Sequence, residues 1–125
     1  FNGVLITGDT LFNGTVGNCF SGDFESFYRS ISRLSRFPDD TLVYAGHDYV
    51  GDSMAAARYW EPDNPAIESY LAKYDPNHVV STMGDERLVN PYLRFNEPGI
   101  VAQIRQRGLS AETALDRWIS FMKMG

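Results

Sequence analysis

Two short stretches decide how this chain is read: "LITGDTLFNG", residues 5–14, and "TLVYAGHDY", residues 41–49. Each begins as a β-prone apolar run, stops at a glycine (Gly8 or Gly46), and then delivers a polar, metal-competent side chain, Asp9 or His47. Layered α/β sheets place their ligands beyond the carboxyl ends of their strands, so both endings mark the same end of one sheet. Between them Phe24, Phe27, Tyr28, Ile31 and Leu34 recur at the spacing of one helical face, which predicts a helix over 23–36 capped by Ser21 or Asp23. Strand, helix and strand in this length form a βαβ-type unit. Strands at 4–7 and 42–45 are therefore expected to be neighbours in one sheet, with the helix on its face.

After Tyr49 the pattern is helical throughout. Asp52 or Ser53 caps an Ala-rich helix over 54–60 that Glu61-Pro62 ends, and Asn64 caps the next, with Pro65 in its first turn and Ile67, Tyr70, Leu71 and Tyr74 inward. Thr82 and Asp85 have capping-box spacing for a short helix that ends before Asn90-Pro91. Pro98 starts a helix carrying Ile100, Val101 and Ile104, which Gly108 stops, and Ser110 caps a last helix whose Leu115, Trp118, Ile119 and Met122 share a face. At the other end, Asn2-Gly3 before Val4 is a hairpin signal whose first arm the sequence does not contain. The chain is accordingly expected to be the carboxyl-terminal part of a longer protein.

Composition narrows the function classes. A chain of 125 residues with 43% hydrophobic side chains supports one ordinary core. It has no apolar run long enough for a bilayer, and a net charge of -5 with scattered Lys and Arg lacks the footprint of a nucleic-acid binder, so neither partner is expected. The single Cys19 cannot close an internal disulfide, which fits a reducing compartment and points to the cytoplasm. Asp9 and His47 are the chemical candidates, since a carboxylate can bridge two cations and imidazole is the commonest metal donor. On spacing alone the plainer reading, a turn cap for Asp9 and a loop hydrogen bond for His47, is favoured over a metal site. Nothing orients Cys19 and His47 as nucleophile and base, and His78, in Pro76-Asn77-His78, has the setting of a surface loop residue.

Four motifs bring a resemblance. "TGDTLF" (7–12), "YAGHDY" (44–49), "EPDNPAI" (61–67) and "STMGDERLVNPYLR" (81–94) occur in the order and spacing of the hydroxyacylglutathione hydrolase, or glyoxalase II, family of the metallo-β-lactamase superfamily. The resemblance implies an α/β fold: the carboxyl-terminal portion of a metallo-β-lactamase αββα sandwich over 1–50, then an all-helical carboxyl-terminal region of glyoxalase II type over 51–125. It implies a hydrolase that cleaves a hydroxyacyl thioester, a small-molecule substrate, with a hydroxide bridging two divalent metal ions, zinc first, with iron and manganese as alternatives. Asp9 matches the aspartate that bridges the metals and His47 the terminal histidine ligand of one of them; Tyr49 matches the tyrosine that contacts the glutathione moiety. The family's His-x-His-x-Asp-His motif and one further histidine precede the first strand here, so this chain carries part of the site and is expected to be inactive alone.

The departures from the family pattern concern the substrate. Where the family has a cation and then an aromatic pair after the bridging aspartate, this loop has Gly17-Asn18-Cys19-Phe20. The basic residues of the family's last helix fall near Asp116 and Ile119, with Arg117 as partial compensation. Losing a charge-assisted partner to a carboxylate costs on the order of 2 kcal/mol, which weakens the case for glutathione as the thiol carrier. Asn18, Phe20, Tyr49, Asp116 and Arg117 are thus the candidate substrate-binding residues. Alternatives are a superfamily relative acting on another ester or oxidising a persulfide, and a non-catalytic helical interaction module. A fragment lacking its partner sheet is also expected to expose a face or to cover it with a second copy of itself.

Overall fold

The computed structural model describes residues 3–8, 10–17 and 23–124. In chain order the elements are β1 (Val4–Gly8), a hairpin of β2 (Leu11–Phe12) and β3 (Thr15–Val16), α1 (Phe24–Leu34), β4 (Leu42–Ala45), α2 (Val50–Trp60), α3 (Ala66–Ala72), β5 (Ser81–Thr82), α4 (Met83–Val89), α5 (Pro98–Gln106) and α6 (Ala114–Met124). Strands β1 and β4 are neighbours and parallel, with Leu5 beside Val43 and Gly8 beside Ala45, as a strand, helix and strand sequence requires. Strand β5 adds to the free edge of β4 in antiparallel sense, giving the order β1-β4-β5. Alternation along β1 leaves Val4 and Ile6 exposed, Ile6 at 86%.

The α1 periodicity is realised as expected. Asp23 caps the helix by accepting from the Ser26 amide at 3.1 Å, and Ile31 is buried in the same cluster as Leu11 and Val43. Trp118 of α6 is fully buried at the centre of this core, with the rings of Phe27, Tyr28, Tyr92 and Phe95 within about 6 Å of its own. Its indole donates to the Phe24 carbonyl at 3.2 Å, so the last helix anchors the start of the first. A second cluster joins Val50, Met54 and Ala57 of α2 to Ile67 and Tyr70 of α3 and Val89 of α4.

The capping box at Thr82 and Asp85 forms, Pro98 opens α5, and Gly108, at φ 73°, stands where the chain turns away from it. Other caps differ. Helix α2 begins at Val50 rather than Met54, and Asp48, in place of Asp52 or Ser53, accepts the Val50 amide at 3.1 Å. Helix α6 begins at Ala114, where the Thr113 hydroxyl accepts the Asp116 amide at 3.0 Å; Ser110 lies outside the helix. Beyond residue 50 the chain is not wholly helical, because β5 uses two residues to pair with Leu42 and Val43. The Asn2-Gly3 hairpin signal falls on Asn2, outside the described residues.

The same Asn-Gly signal acts at Asn13-Gly14. It joins β2 to β3, pairing Leu11 with Val16 and Phe12 with Thr15. Only Gly14 takes positive φ (94°), while Asn13 turns inward at 2% exposure. Gly14 is also squeezed against α2: a Cβ there would stand 2.6 Å from Met54 Cε and 3.0 Å from Ser53 Cβ. Replacing Gly14 by Ala combines backbone strain with overpacking, so Gly14→Ala is expected to destabilise the protein by about 2 kcal/mol or more in urea unfolding. A change below about 0.5 kcal/mol would show that the turn does not depend on this glycine.

Candidate functional site

The two strand endings meet. Gly8, at φ 52°, accepts the Gly46 amide at 2.7 Å, so the segments leading to Asp9 and His47 leave the sheet from adjacent points. Thr7 reinforces the joint by donating its hydroxyl to the Tyr44 carbonyl at 3.2 Å. Asp9 itself lies outside the described residues, as do Asn18, Cys19 and Phe20.

His47 is exposed and belongs to a group of three rings. It stacks on Tyr49 with centroids 5.6 Å apart and an interplanar angle of 17°, and it tilts against Phe12 at 6.2 Å. Phe12 meets Tyr49 edge-on at 4.9 Å. Phe12 is 5% exposed and Tyr49 45%, so a buried ring of the β2–β3 hairpin supports two solvent-facing ones. On either flank the loop after α3 packs against this segment: the Tyr74 hydroxyl donates to Asp48 Oδ2, and the Tyr44 hydroxyl lies 3.2 Å from His78 Nε2 with the rings stacked. His78 is exposed, as a surface loop residue would be, and Tyr44 holds it.

Asp116 and Arg117 are partly buried in the first turn of α6. Asp116 accepts from the Ser110 hydroxyl at 3.2 Å, and Arg117 donates from Nε to Asn96 at 2.6 Å and from Nη1 to the Ala111 carbonyl at 3.0 Å. The Ser110 and Ala111 bonds tie α6 to the loop before it, and the Asn96 bond ties it to the segment between α4 and α5; none of them reaches His47 or Tyr49. Among the described residues no group of three His, Cys, Asp or Glu side chains gathers closely enough to hold an ion. The donor chemistry fits a metal in part: one accessible imidazole at a rigid strand end, beside a Gly-Asp step.

Beneath the hairpin lies a residue that sequence reasoning missed. Glu86 has no exposed surface, and its carboxylate accepts from the Gly14 amide (2.8 Å), Asn90 Nδ2 (3.0 Å), the Tyr70 hydroxyl (2.7 Å) and the Ser81 hydroxyl (2.7 Å). Burial pushes its carboxyl above the ordinary value, against the pull of those donors, and burial together with the charge of Glu86 raises the Tyr70 hydroxyl. The signal was available: Met83, Glu86 and Val89, at helical spacing, share one apolar face and are all buried.

Residues 48–121 match the family described as "Hydroxyacylglutathione hydrolase C-terminus". The chain belongs to this family. It is 41% identical over 112 residues to the hydroxyacylglutathione hydrolase of Chromohalobacter salexigens, covering 85% of this chain and 44% of the relative. The enzyme of that name from Polaromonas sp. is 40% identical over 108 residues, 82% of this chain and 41% of the relative. The Neisseria meningitidis serogroup C relative, with the same name, is 36% identical over 125 residues, 96% of this chain and 48% of its own length. The chain thus spans about half or less of the length of these curated relatives. The family match takes in Asp48, Tyr49 and Glu86 and stops short of Asp9 and His47.

Because burial raises the Glu86 carboxyl above its ordinary 4.5, the stability this group contributes is complete below that value and is lost as pH rises through the raised one. Glu86→Gln removes the titration while keeping the shape. The stability of wild type relative to Glu86→Gln is therefore expected to fall as pH rises above the ordinary carboxyl value of 4.5, by urea unfolding at a series of pH values. A gap that instead grows in favour of wild type would mean that the four donors outweigh burial.

Proposed function

We propose that the full-length protein is a metal-dependent hydrolase of the glyoxalase II type that cleaves a hydroxyacyl thioester, and that this chain carries part of its site. The observation that supports this reading is the Gly8–Gly46 joint, which ends β1 and β4, the strands that precede Asp9 and His47 in sequence, side by side in a chain of this family. On this reading residues 1–50 belong to a metallo-β-lactamase αββα sandwich and 51–125 form its helical region; the parallel pair β1 and β4 with α1 between them in sequence supports the first part. No helix among the described residues is long and apolar enough to cross a membrane.

Asp9 would bridge two divalent cations and His47 would ligate one, with zinc the first choice for imidazole and carboxylate donors and iron or manganese the alternatives. Bound there, the cations supply a water whose pKa falls towards about 7 and a Lewis acid for the thioester carbonyl. The chain's own residues orient these donors. The face of His47 is packed by Tyr49 and its edge by Phe12, which limits rotation of the imidazole. Tyr49 offers its exposed ring to the thiol part of the substrate. Glutathione is the thiol carrier in the relatives' names, but here Asn18 and Phe20 stand where the family pattern has a cation and a tyrosine, and Asp116 lies near a basic position. Arg117 already bonds Asn96 and Ala111, so it is poorly placed to compensate. On this sequence pattern a neutral or cationic thiol carrier is a better match than an anionic one.

Two experiments on the full-length protein test the reading. Asp9→Asn removes bridging charge and is expected to lose most bound metal and activity; a variant retaining full metal content by elemental analysis would reject the bridging role. Catalytic efficiency on S-lactoylglutathione is expected to be lower than on a matched thioester with an uncharged thiol part, and Asn18→Lys is expected to raise the former by about tenfold or more. A strong preference for the glutathione ester that Asn18→Lys leaves unchanged would restore the ordinary family substrate.

A further inference from the structure

Glu86 sits in the helical region, yet much of what it holds belongs to the strand unit. Its Oε1 accepts the Gly14 amide, in the turn of the β2–β3 hairpin, and Asn90, whose Nδ2 also donates to the Thr15 carbonyl at 3.1 Å. Its Oε2 accepts the Ser81 hydroxyl, and Ser81 Oγ in turn accepts Asn13 Nδ2 at 2.7 Å; the same amide donates to the Val43 carbonyl in β4 at 3.1 Å. One carboxylate is therefore linked to both residues of the hairpin turn, to the start of β3, and to the strand that leads into His47. The hairpin has two residues per strand, too few to hold a position by itself. Phe12, the residue before the turn, carries the ring that supports His47 and Tyr49.

We propose that Glu86 is a positioning residue for the reacting end of the sheet: through Gly14 and Asn13 it sets the hairpin from which Phe12 supports the His47–Tyr49 stack, and through Asn13 it sets β4 beneath His47. The proposal rests on the hydrolase reading above for its consequence in rate, but its geometry does not depend on that reading. A displacement of about 1 Å at a reacting group is enough to cost on the order of a hundredfold in rate, so a buried bond two residues from Phe12 has a functional reach. Tyr70 provides the contrast. It bonds the same carboxylate from α3 and makes no described hydrogen bond of its own to a hairpin residue.

The test uses the zinc-loaded full-length protein with Glu86→Gln, Asn13→Ala and Tyr70→Phe. Tm, kcat and KM on S-lactoylglutathione, bound metal, and the NMR signals of the His47 ring, assigned with His47→Gln, are compared. All three variants are expected to lower Tm. Asn13→Ala and Glu86→Gln are expected to move the His47 signals and lower kcat about tenfold with KM nearly unchanged, while Tyr70→Phe leaves the signals in place and kcat within about twofold. Should Glu86→Gln fail to fold, Asn13→Ala, which leaves all four donors on the carboxylate and cuts the link from Ser81 to the hairpin turn and β4, makes the comparison with Tyr70→Phe. If the His47 signals stay in place in every folded variant, or move equally in Tyr70→Phe, Glu86 is only a fold anchor and the proposal falls. If wild type hydrolyses no thioester, the hydrolase reading fails separately, and movement of the His47 signals in Asn13→Ala but not in Tyr70→Phe still supports the positioning role.

Discussion

A carboxylate with no exposed surface is tolerated only where donors converge on it, and the donors around Glu86 come from four separate places in the chain: the hairpin turn, α3, β5 and the end of α4. Because each oxygen takes two of them, the acceptor capacity of the group is filled, and every donor is itself a group that burial would otherwise leave unpaired. The position is central in packing as well. Met83, one turn earlier in α4, belongs to the large core around Trp118, whereas Val89 and Tyr70 belong to the smaller one, so Glu86 sits where the two cores adjoin. The strand unit and the helical region are held together there by a polar hub flanked by apolar clusters, an arrangement that fixes register more strictly than apolar contact does.

The motifs that carry the family resemblance are, in large part, the bonds that close the fold. Glu61 of "EPDNPAI" and Arg94 of "STMGDERLVNPYLR" form a two-pronged ion pair, at 2.6 and 2.8 Å, in a partly buried setting where the planar guanidinium matches the carboxylate. Arg87 reaches from α4 to Asp39 and to the carbonyls of Ser35 and Phe37, pinning the connection between α1 and β4. Gly84 donates its amide to the Asp39 carbonyl at 2.9 Å, and a Cβ there would lie 3.2 Å from that same oxygen, a tight fit that a side chain could take only if the Asp39 turn gave way slightly. A sequence signature of this kind records contacts between elements more than chemistry at the site.

The chemistry is left to the strand ends. Gly8 and Gly46 end β1 and β4 side by side, and two further rings then limit what His47 can do. Tyr49 and Phe12 pack against the imidazole through their rings, which suits the role proposed for His47 as a metal ligand.

The sequence by itself determined the elements whose information is local. Periodicity placed α1, the Thr82 and Asp85 spacing placed α4, Pro98 placed α5, and the two apolar runs ending in Gly8 and Gly46 placed β1, β4 and the candidate ligands, because sterics and capping act within a few residues. The hairpin at Asn13-Gly14 and the strand β5 escaped notice because runs of two residues have no period to detect. The starts of α2 and α6 moved to Asp48 and Thr113 because several residues nearby could cap, and packing chose among them. The spacing of Met83, Glu86 and Val89 marks Glu86 for the buried face of α4, but its role as a hub was not legible, since its donors lie between 4 and 72 residues away and only the folded chain brings them to one carboxylate. The same holds for Asp116 and Arg117, which the resemblance made candidates for substrate binding and whose described bonds tie α6 to its preceding loop and to the segment before α5. Local sequence determines which residues can do chemistry at a strand end; the energy of burying polar groups, which depends on partners distant in sequence, decides what holds that strand end in place.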